Sequence, residues 1–337
     1  MTAPVLAPGA VVAGRYQIGA VLAQGGSSNT YYCRAQDGRE VAVKVFDPAI
    51  RQRTDVMQLV EQIYGITNTM PADLVARIVD AGYDPVTQAP FGVTERVPLP
   101  SLAQTIAQRT LSPEEALAML RALARVLDTA HAAKLMHHAL KPTNVFVGFG
   151  QQAQIRVADF GAGLARIAVP TQEGYAGSAP WLAPEQAQQG MQPGAAADVF
   201  AAALLVFYAM TGRPYWRSCQ GAAPDLAMWQ QELVGPREPA SMRAGQLGVS
   251  LNRAFDPVLG CALSVDPSQR YRSVGELAAA MESLVASKGP ESSHTVAFPV
   301  SGGGDYPPPP APLGGGGGAA ALGGYAMSQA PPLGGPT

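Results

Sequence analysis

The spacing of apolar residues changes period once along this chain, and that change limits the folds open to it. From Tyr16 to Phe46 apolar and turn-forming residues alternate, punctuated by Gly25-Gly26 and Asp37-Gly38. Such alternation predicts a β-meander of three strands. Arg53 to Ile66 carries Val56, Leu59, Val60 and Ile63 at helical spacing, and Leu74–Asp80 and Phe91–Val97 predict two further strands. Beyond Pro100 the helical period dominates. Ser112-Pro113-Glu114-Glu115 supplies an N-cap, a first-turn proline and acidic residues at the positive end of the dipole. Leu117, Leu120, Leu123 and Leu127 follow on one face. Val145–Val147 and Ile155–Ala158 predict short strands, Asp198–Met210 a buried helix, and Ser273 with Glu276 the capping box of a last helix. Strands first and helices after predict an α+β chain of two lobes, hinged near Glu95–Pro100.

Composition narrows the function classes. Charge is nearly balanced, 23 basic against 25 acidic residues, so neither nucleic acid nor an anionic membrane is expected as a partner. Cys33, Cys219 and Cys261 are far apart and lack metal-ligand spacing, so they are expected to be small apolar core residues rather than a disulfide framework. No basic region precedes an apolar run at the N-terminus. The longest apolar stretch, Val199 to Met210, falls short of the roughly 20 residues that span a bilayer. The expected location is the cytoplasm.

Both ends differ from the middle. Residues 1–13 are rich in Ala, Pro and Val and are expected to be loosely ordered. Residues 287–337 are dominated by Gly302–Gly304, Pro307–Pro310, Gly314–Gly318 and Pro331-Pro332. A segment so poor in large apolar groups cannot offset its ordering entropy, and disorder is the expectation. It is either an inert tail or, through the proline run, a polyproline helix offered to an aromatic groove.

The residues that bear on chemistry lie in fixed order between these ends. Met136-His137-His138-Ala139-Leu140-Lys141-Pro142-Thr143-Asn144 contains a His, a Leu-Lys-Pro and an Asn at set spacing, and Asp159-Phe160-Gly161 begins fifteen positions after that Asn. Val41-Ala42-Val43-Lys44 lies upstream, behind a glycine-bearing turn at Gly25-Gly26. Ala183-Pro184-Glu185 and Asp266-Pro267-Ser268-Gln269-Arg270 lie downstream. In this combination the chain resembles the protein kinases, specifically the bacterial Ser/Thr branch, over about residues 14–286. The resemblance implies a two-lobed kinase-like fold, with a small β-rich N-lobe at about 14–97 and a larger helical C-lobe at about 98–286.

It also implies roles. Lys44 would hold the α- and β-phosphates of ATP and be fixed by Glu61 on the next helix. Gly25 and Gly26 belong to the Gly-rich loop, whose first and third glycines are here Ala23 and Ser28. Ala42 would line the adenine site, Thr94 would be the gatekeeper behind it, and Glu95 and Val97 would form the hinge. Asp159 and Asn144 would bind Mg²⁺, which takes oxygen ligands and needs few side chains beside phosphate. Lys141 marks the Ser/Thr branch and belongs to the catalytic loop. His137 would pack beneath Phe160, Asp198 would tie its helix to the catalytic loop, and Glu185 would pair with Arg270.

One departure decides the functional expectation. The family's catalytic Asp, which orients and deprotonates the substrate hydroxyl, is replaced by Ala139, and the preceding Arg by His138. A methyl group accepts no proton. With His138 in that place, activation through phosphorylation at Thr171, Tyr175 or Ser178 is not expected. The expected function is that of a pseudokinase that binds ATP and Mg²⁺ and acts as regulator or scaffold, with other signalling proteins as partners, an active kinase among them. The alternative is a weakly active Ser/Thr kinase, and a third reading is an adaptor whose tail does the binding.

Overall fold

The computed structural model describes residues 5–25, 27–150, 152–161, 163, 176–187 and 193–286. The glycine at 26, the candidate phosphosites Thr171 and Tyr175 and the whole of 287–337 lie outside the described residues.

The N-terminal part is a sheet wrapped around its own core. Strands β1 (Val11–Val12), β2 (Tyr16–Gln24), β3 (Ser28–Ala35) and β4 (Glu40–Phe46) run antiparallel in sequence order. Helix α1 (Thr54–Thr69) follows, and β5 (Ile78–Tyr83) and β6 (Pro90–Glu95) complete the order β1-β2-β3-β4-β6-β5. In β4 the alternation is strict. Val41, Val43 and Val45 are buried against Tyr31, Phe91 and Val93, while Ala42 and Lys44 face the other way, because successive side chains leave opposite faces of a strand. Residues 5–13 differ from the expectation of loose order. Val11 and Val12 pair with Gln17 and Tyr16, Val12 is 2% exposed, and the Leu6 amide donates to the Tyr31 hydroxyl. The short apolar pair finds the open edge of β2, which composition alone does not reveal.

The expected strand at Leu74–Asp80 is shifted and divided. The Asn68 side chain brackets Ile78 by bonding both its amide and its carbonyl, and the strand begins there. Leu74, Val75 and Ala76 instead bond to Val157 in the other lobe: Ala76 N donates to Val157 O at 3.0 Å, and Val157 N to Leu74 O at 3.0 Å.

The C-terminal part is helical. It comprises α2 (Leu102–Gln108), α3 (Pro113–Ala132), the hairpin β7 (Val145–Phe149) and β8 (Ala153–Val157), then α4 (Pro184–Ala187), α5 (Ala195–Thr211), α6 (Leu226–Val234), α7 (Ala240–Gln246), α8 (Phe255–Ala262) and α9 (Val274–Ala286). Helix α3 starts as its sequence dictates, with Ser112 and Glu115 forming a reciprocal capping box. Helix α5 is buried almost all round and ends at Gly212, whose φ of 72° suits a residue without a Cβ. At α9 the Ser273 hydroxyl accepts from Glu276 N, but the first free amides, Val274 N and Gly275 N, go to Asp128 of α3. That side chain binds the two helices end to side. Cys33 and Cys219 are buried free thiols, as expected, and Cys261 is half-buried.

Glu185 and Arg270 form the paired ions anticipated from sequence. Both guanidinium nitrogens reach the carboxylate, at 2.7 and 2.8 Å, and the Arg270 side chain is 0% exposed. Carbonyls of Ser264, Ala196 and Val265 take further Arg270 protons, and Phe200 lies beneath the guanidinium at 4.7 Å. Removing one partner strands the other charge, at a cost of about 3–5 kcal/mol. Glu185→Gln and Arg270→Leu are each expected to lose that much, and their combination less than the sum. Additive losses in denaturant titrations would contradict the coupling.

Candidate functional site

The catalytic-loop run is shaped from below. Asp198, in the first turn of α5, accepts from the His137 amide at 2.8 Å, the His138 amide at 3.2 Å and His131 Nε2 at 2.8 Å. Burial works to raise its pKa, yet these hydrogen bonds and nearby imidazoles outweigh it and the carboxylate is held below its usual range. With the two amides fixed, His138 takes a left-handed φ of 60° and the chain turns toward Ala139. His137, 0% exposed, stacks on Phe160 at 4.6 Å between centroids, and its Nε2 contacts Ala158 O at 3.0 Å. Its ring acts as a spacer under Phe160, as the sequence predicted.

Asn144 ends the 3₁₀ turn Pro142–Asn144, and its Nδ2 donates to Ala139 O at 3.0 Å. The Asn144 carbonyl receives the Ala158 amide, so the loop and the Asp159-Phe160-Gly161 turn are one unit. Asp159 has φ 69° and Gly161 φ 77°, and Ile63 of α1 fills the space above Gly161, where a Cβ would come to 2.9 Å. Gly65, two positions further along α1, is exposed.

Lys44 reaches this unit from β4. Its ammonium bonds Asp159 Oδ2 at 2.5 Å, with side-chain exposures of 13% and 21%. Burial raises the Asp159 pKa, but Lys44, helped by Lys141 and His137, more than reverses this and keeps the group ionised. The expected Lys44–Glu61 pair is not formed. Val56, Val60, Ile63 and Thr67 are the buried stripe of α1, and at about 100° per residue Glu61 falls roughly 120° away from it, in solvent. Tyr64 takes the inward position instead. It lines one cavity with Lys44, Val60, Thr94, Asp159 and Phe160, and its hydroxyl sits where a Cβ on Gly92 would collide with it. Tyr64 carries no motif that would single it out in the sequence. Its place one position beyond Ile63, at the margin of the apolar stripe, was the available signal.

The remaining predicted residues fall on the cleft-side edge of the sheet. Ala42 and Thr94 are directly paired across β4 and β6, and Thr94 Oγ1 lies 3.5 Å from Ala42 O. Glu95 closes β6, and its carboxylate accepts from Arg156 of β8 at 2.8 Å, an interlobe tie invisible in sequence. Val97 is buried in the connection that follows. Gly25 lies at the β2–β3 turn. Lys141 precedes the 3₁₀ turn and is half-buried.

The chemistry on offer follows from this set. A half-buried lysine and an ionised aspartate line one cavity with Thr94, and the Asn144 carboxamide lies in the loop hydrogen-bonded to Ala158, next to that aspartate, a donor set suited to a polyanion with a hard divalent cation. The sequence matches the model of the protein kinase domain over residues 16–281. The chain belongs to the protein kinase domain family. It is 27% identical over 285 residues to a probable serine/threonine-protein kinase of Corynebacterium efficiens, covering 81% of this chain and 42% of that protein. It is 29% identical over 294 residues to the serine/threonine-protein kinase PknA of Mycobacterium tuberculosis, covering 84% of this chain and 64% of PknA. The chain spans about two fifths of the length of the Corynebacterium relative. Among solved structures, the kinase domain of M. tuberculosis PknI superposes with a TM-score of 0.61 at 23% identity, over 84% of this chain and 100% of that domain.

Two outcomes are expected from this geometry. Glu61→Gln should change stability by less than about 0.5 kcal/mol, whereas Lys44→Met should cost about 1–3 kcal/mol by leaving Asp159 without its partner. Equal losses in thermal melts would restore the Glu61 pairing. The second outcome concerns pH. Burial lowers the His137 pKa, against Asp198 and Asp159, which work to raise it. As pH falls through about 6.5, the unfolded imidazole takes a proton that the folded one refuses, so stability declines. Urea unfolding between pH 7.5 and 5.5 should show this slope, and His137→Phe should flatten it. An unchanged slope in the variant would exclude His137 as its source.

Proposed function

We propose that the chain is a Ser/Thr-kinase-like signalling protein that binds ATP with Mg²⁺ and works as a regulator or scaffold, a pseudokinase, with its kinase-like domain at 14–286. The observation that carries this is Ala139. It is half-buried, and Asn144 holds its carbonyl in a loop whose other hydrogen bonds are formed, yet its side chain is a methyl. The loop that would present a proton acceptor is formed and the acceptor is absent. On this reading the partners are other signalling proteins, an active kinase among them, and the location is the cytoplasm. Among the described residues no helix is long and apolar enough to cross a membrane.

The site residues fit the cofactor. The Asp159 carboxylate is held ionised, and the Asn144 amide nitrogen is committed to Ala139 O. Among the described residues, Asn144 Oδ1 accepts a long bond, 3.4 Å, from the Thr143 hydroxyl. Asp159 and Asn144 Oδ1 would hold Mg²⁺, Lys44 the phosphates, and Ala42, Thr94, Glu95 and Val97 the base. Glu61 takes no part in this arrangement. Mg²⁺-ATP supplies a transferable phosphoryl group and neutralises its charge. Lys141 adds positive charge beside Asp159.

A second reading, a weakly active Ser/Thr kinase, is favoured by two observations. The relatives are named as kinases, and Lys44, Lys141, Asn144 and Asp159 all stand in the cleft. Phosphoryl transfer rests mostly on positioning and electrostatics, and general-base help is worth about 10²–10⁴.

Phosphate incorporation from ATP and Mg²⁺ into the protein itself and a generic basic substrate separates the two. The pseudokinase reading expects the unmodified chain to match Asp159→Ala, and Ala139→Asp to raise transfer by up to about 10²–10⁴. Slow incorporation that vanishes in Asp159→Ala supports the second reading. Turnover of the unmodified chain at about 1–100 per second would overturn the first.

A further inference from the structure

The cavity between α1 and the sheet holds one polar group that the functional reading leaves unused. Lys44 on β4 and Gly92 on β6 are directly paired. Side chains of such a pair leave the same face of the sheet, with Cβ positions about 4.5–5.5 Å apart. Gly92 has no side chain, and the Tyr64 hydroxyl fills the place that one would take. The phenol oxygen therefore lies beside the stem of Lys44, and both side chains line one cavity with Asp159. The cavity's other hydroxyls are engaged elsewhere. Thr67 Oγ1 donates to Ile63 O at 2.7 Å, and Thr94 Oγ1 lies 3.5 Å from Ala42 O. Among the described residues the Tyr64 hydroxyl has no hydrogen-bond partner. Lys44 has protons to spare, since an ammonium carries three and Asp159 Oδ2 is its one acceptor among the described residues.

A divalent cation on Asp159 would change this balance. It needs the carboxylate that Lys44 holds, and its charge repels the ammonium beside it. An ammonium only 13% exposed is costly to leave without an acceptor on that side. We propose that Tyr64 is the positioning residue for Lys44 in the ligand-bound cleft: once Mg²⁺ engages Asp159, the ammonium donates one hydrogen bond to the Tyr64 hydroxyl and directs its other protons at phosphate. The inference rests on the nucleotide-binding reading above. A phenol suits this hand-over. Burial, helped by Asp159, pushes its pKa up, so it stays neutral and does not compete with the carboxylate while Asp159 holds the lysine. Its oxygen nonetheless accepts a hydrogen bond.

Two measurements on the full chain test this, the first without ligand. Asp159→Gly takes the carboxylate away and keeps the φ of 69° without strain. Tyr64→Phe removes only the hydroxyl. With Asp159 present it is expected to move the melting temperature by less than about 1 °C, and with Asp159→Gly to lower it by about 2–4 °C, because the lysine then bonds the phenol. Adding Lys44→Met to that background should abolish the loss. The second measurement is isothermal titration with ATP, in Mg²⁺ and in a chelator. Tyr64→Phe should weaken ATP roughly tenfold in Mg²⁺, one hydrogen bond to a charged group, and less than about twofold in the chelator. A packing role would cost the same in every arm. Equal losses with and without Asp159, or with and without Mg²⁺, overturn the role of Tyr64 and leave the nucleotide reading intact. No binding of ATP by the unmodified chain overturns that reading, and the metal-triggered hand-over with it.

Discussion

Asp198 is 2% exposed at the start of a helix that is otherwise apolar, and it accepts from two consecutive loop amides and one imidazole. An unpaired carboxylate in that position would be severely penalised, so the charge is tolerable only when all three donors converge on it. The consequence runs outward. Fixed amides at His137 and His138 direct the chain into Ala139, place His137 under Phe160, and leave Asn144 where it bonds both Ala139 and Ala158. The cleft floor therefore rests on a helix buried in the larger lobe.

The roof is governed differently. Lys44 and Asp159 meet across the cleft, and their contact neutralises two ions where solvent is scarce. Arg156 with Glu95 makes a second, more exposed tie between the lobes. In the family pattern a helix glutamate would compete for Lys44. Here Glu61 is in solvent and Tyr64 faces the lysine's cavity, so the ion pair with Asp159 has no rival from α1.

Much of this was legible in sequence because it is local or because spacing carries it. The capping box of α3 and the buried α5 helix follow from short patterns, whereas the partnership of Glu185 with Arg270 and the packing of His137 on Phe160 came from the resemblance to the kinases. Glu61 shows the limit. Spacing along a helix fixes height, but rotation is fixed by whichever face is most apolar, and Val56, Val60 and Ile63 outvote a single glutamate. The N-terminal residues and Leu74–Ala76 show another. Their partners lie on β2 and β8, and pairing with a remote edge leaves no mark in composition or period.

The two main-chain bonds between Leu74–Ala76 and Val157 have a mechanical meaning. They clip the chain leaving α1 to the hairpin that leads into Asp159, so the C-terminal end of α1 is tied to the cleft floor by main-chain bonds. Presenting Glu61 to Lys44 would require turning the helix about its own axis, which would draw Val60 and Ile63 into water at about 1.5–3 kcal/mol each. The clip fixes where α1 ends, and the apolar stripe fixes which face it shows.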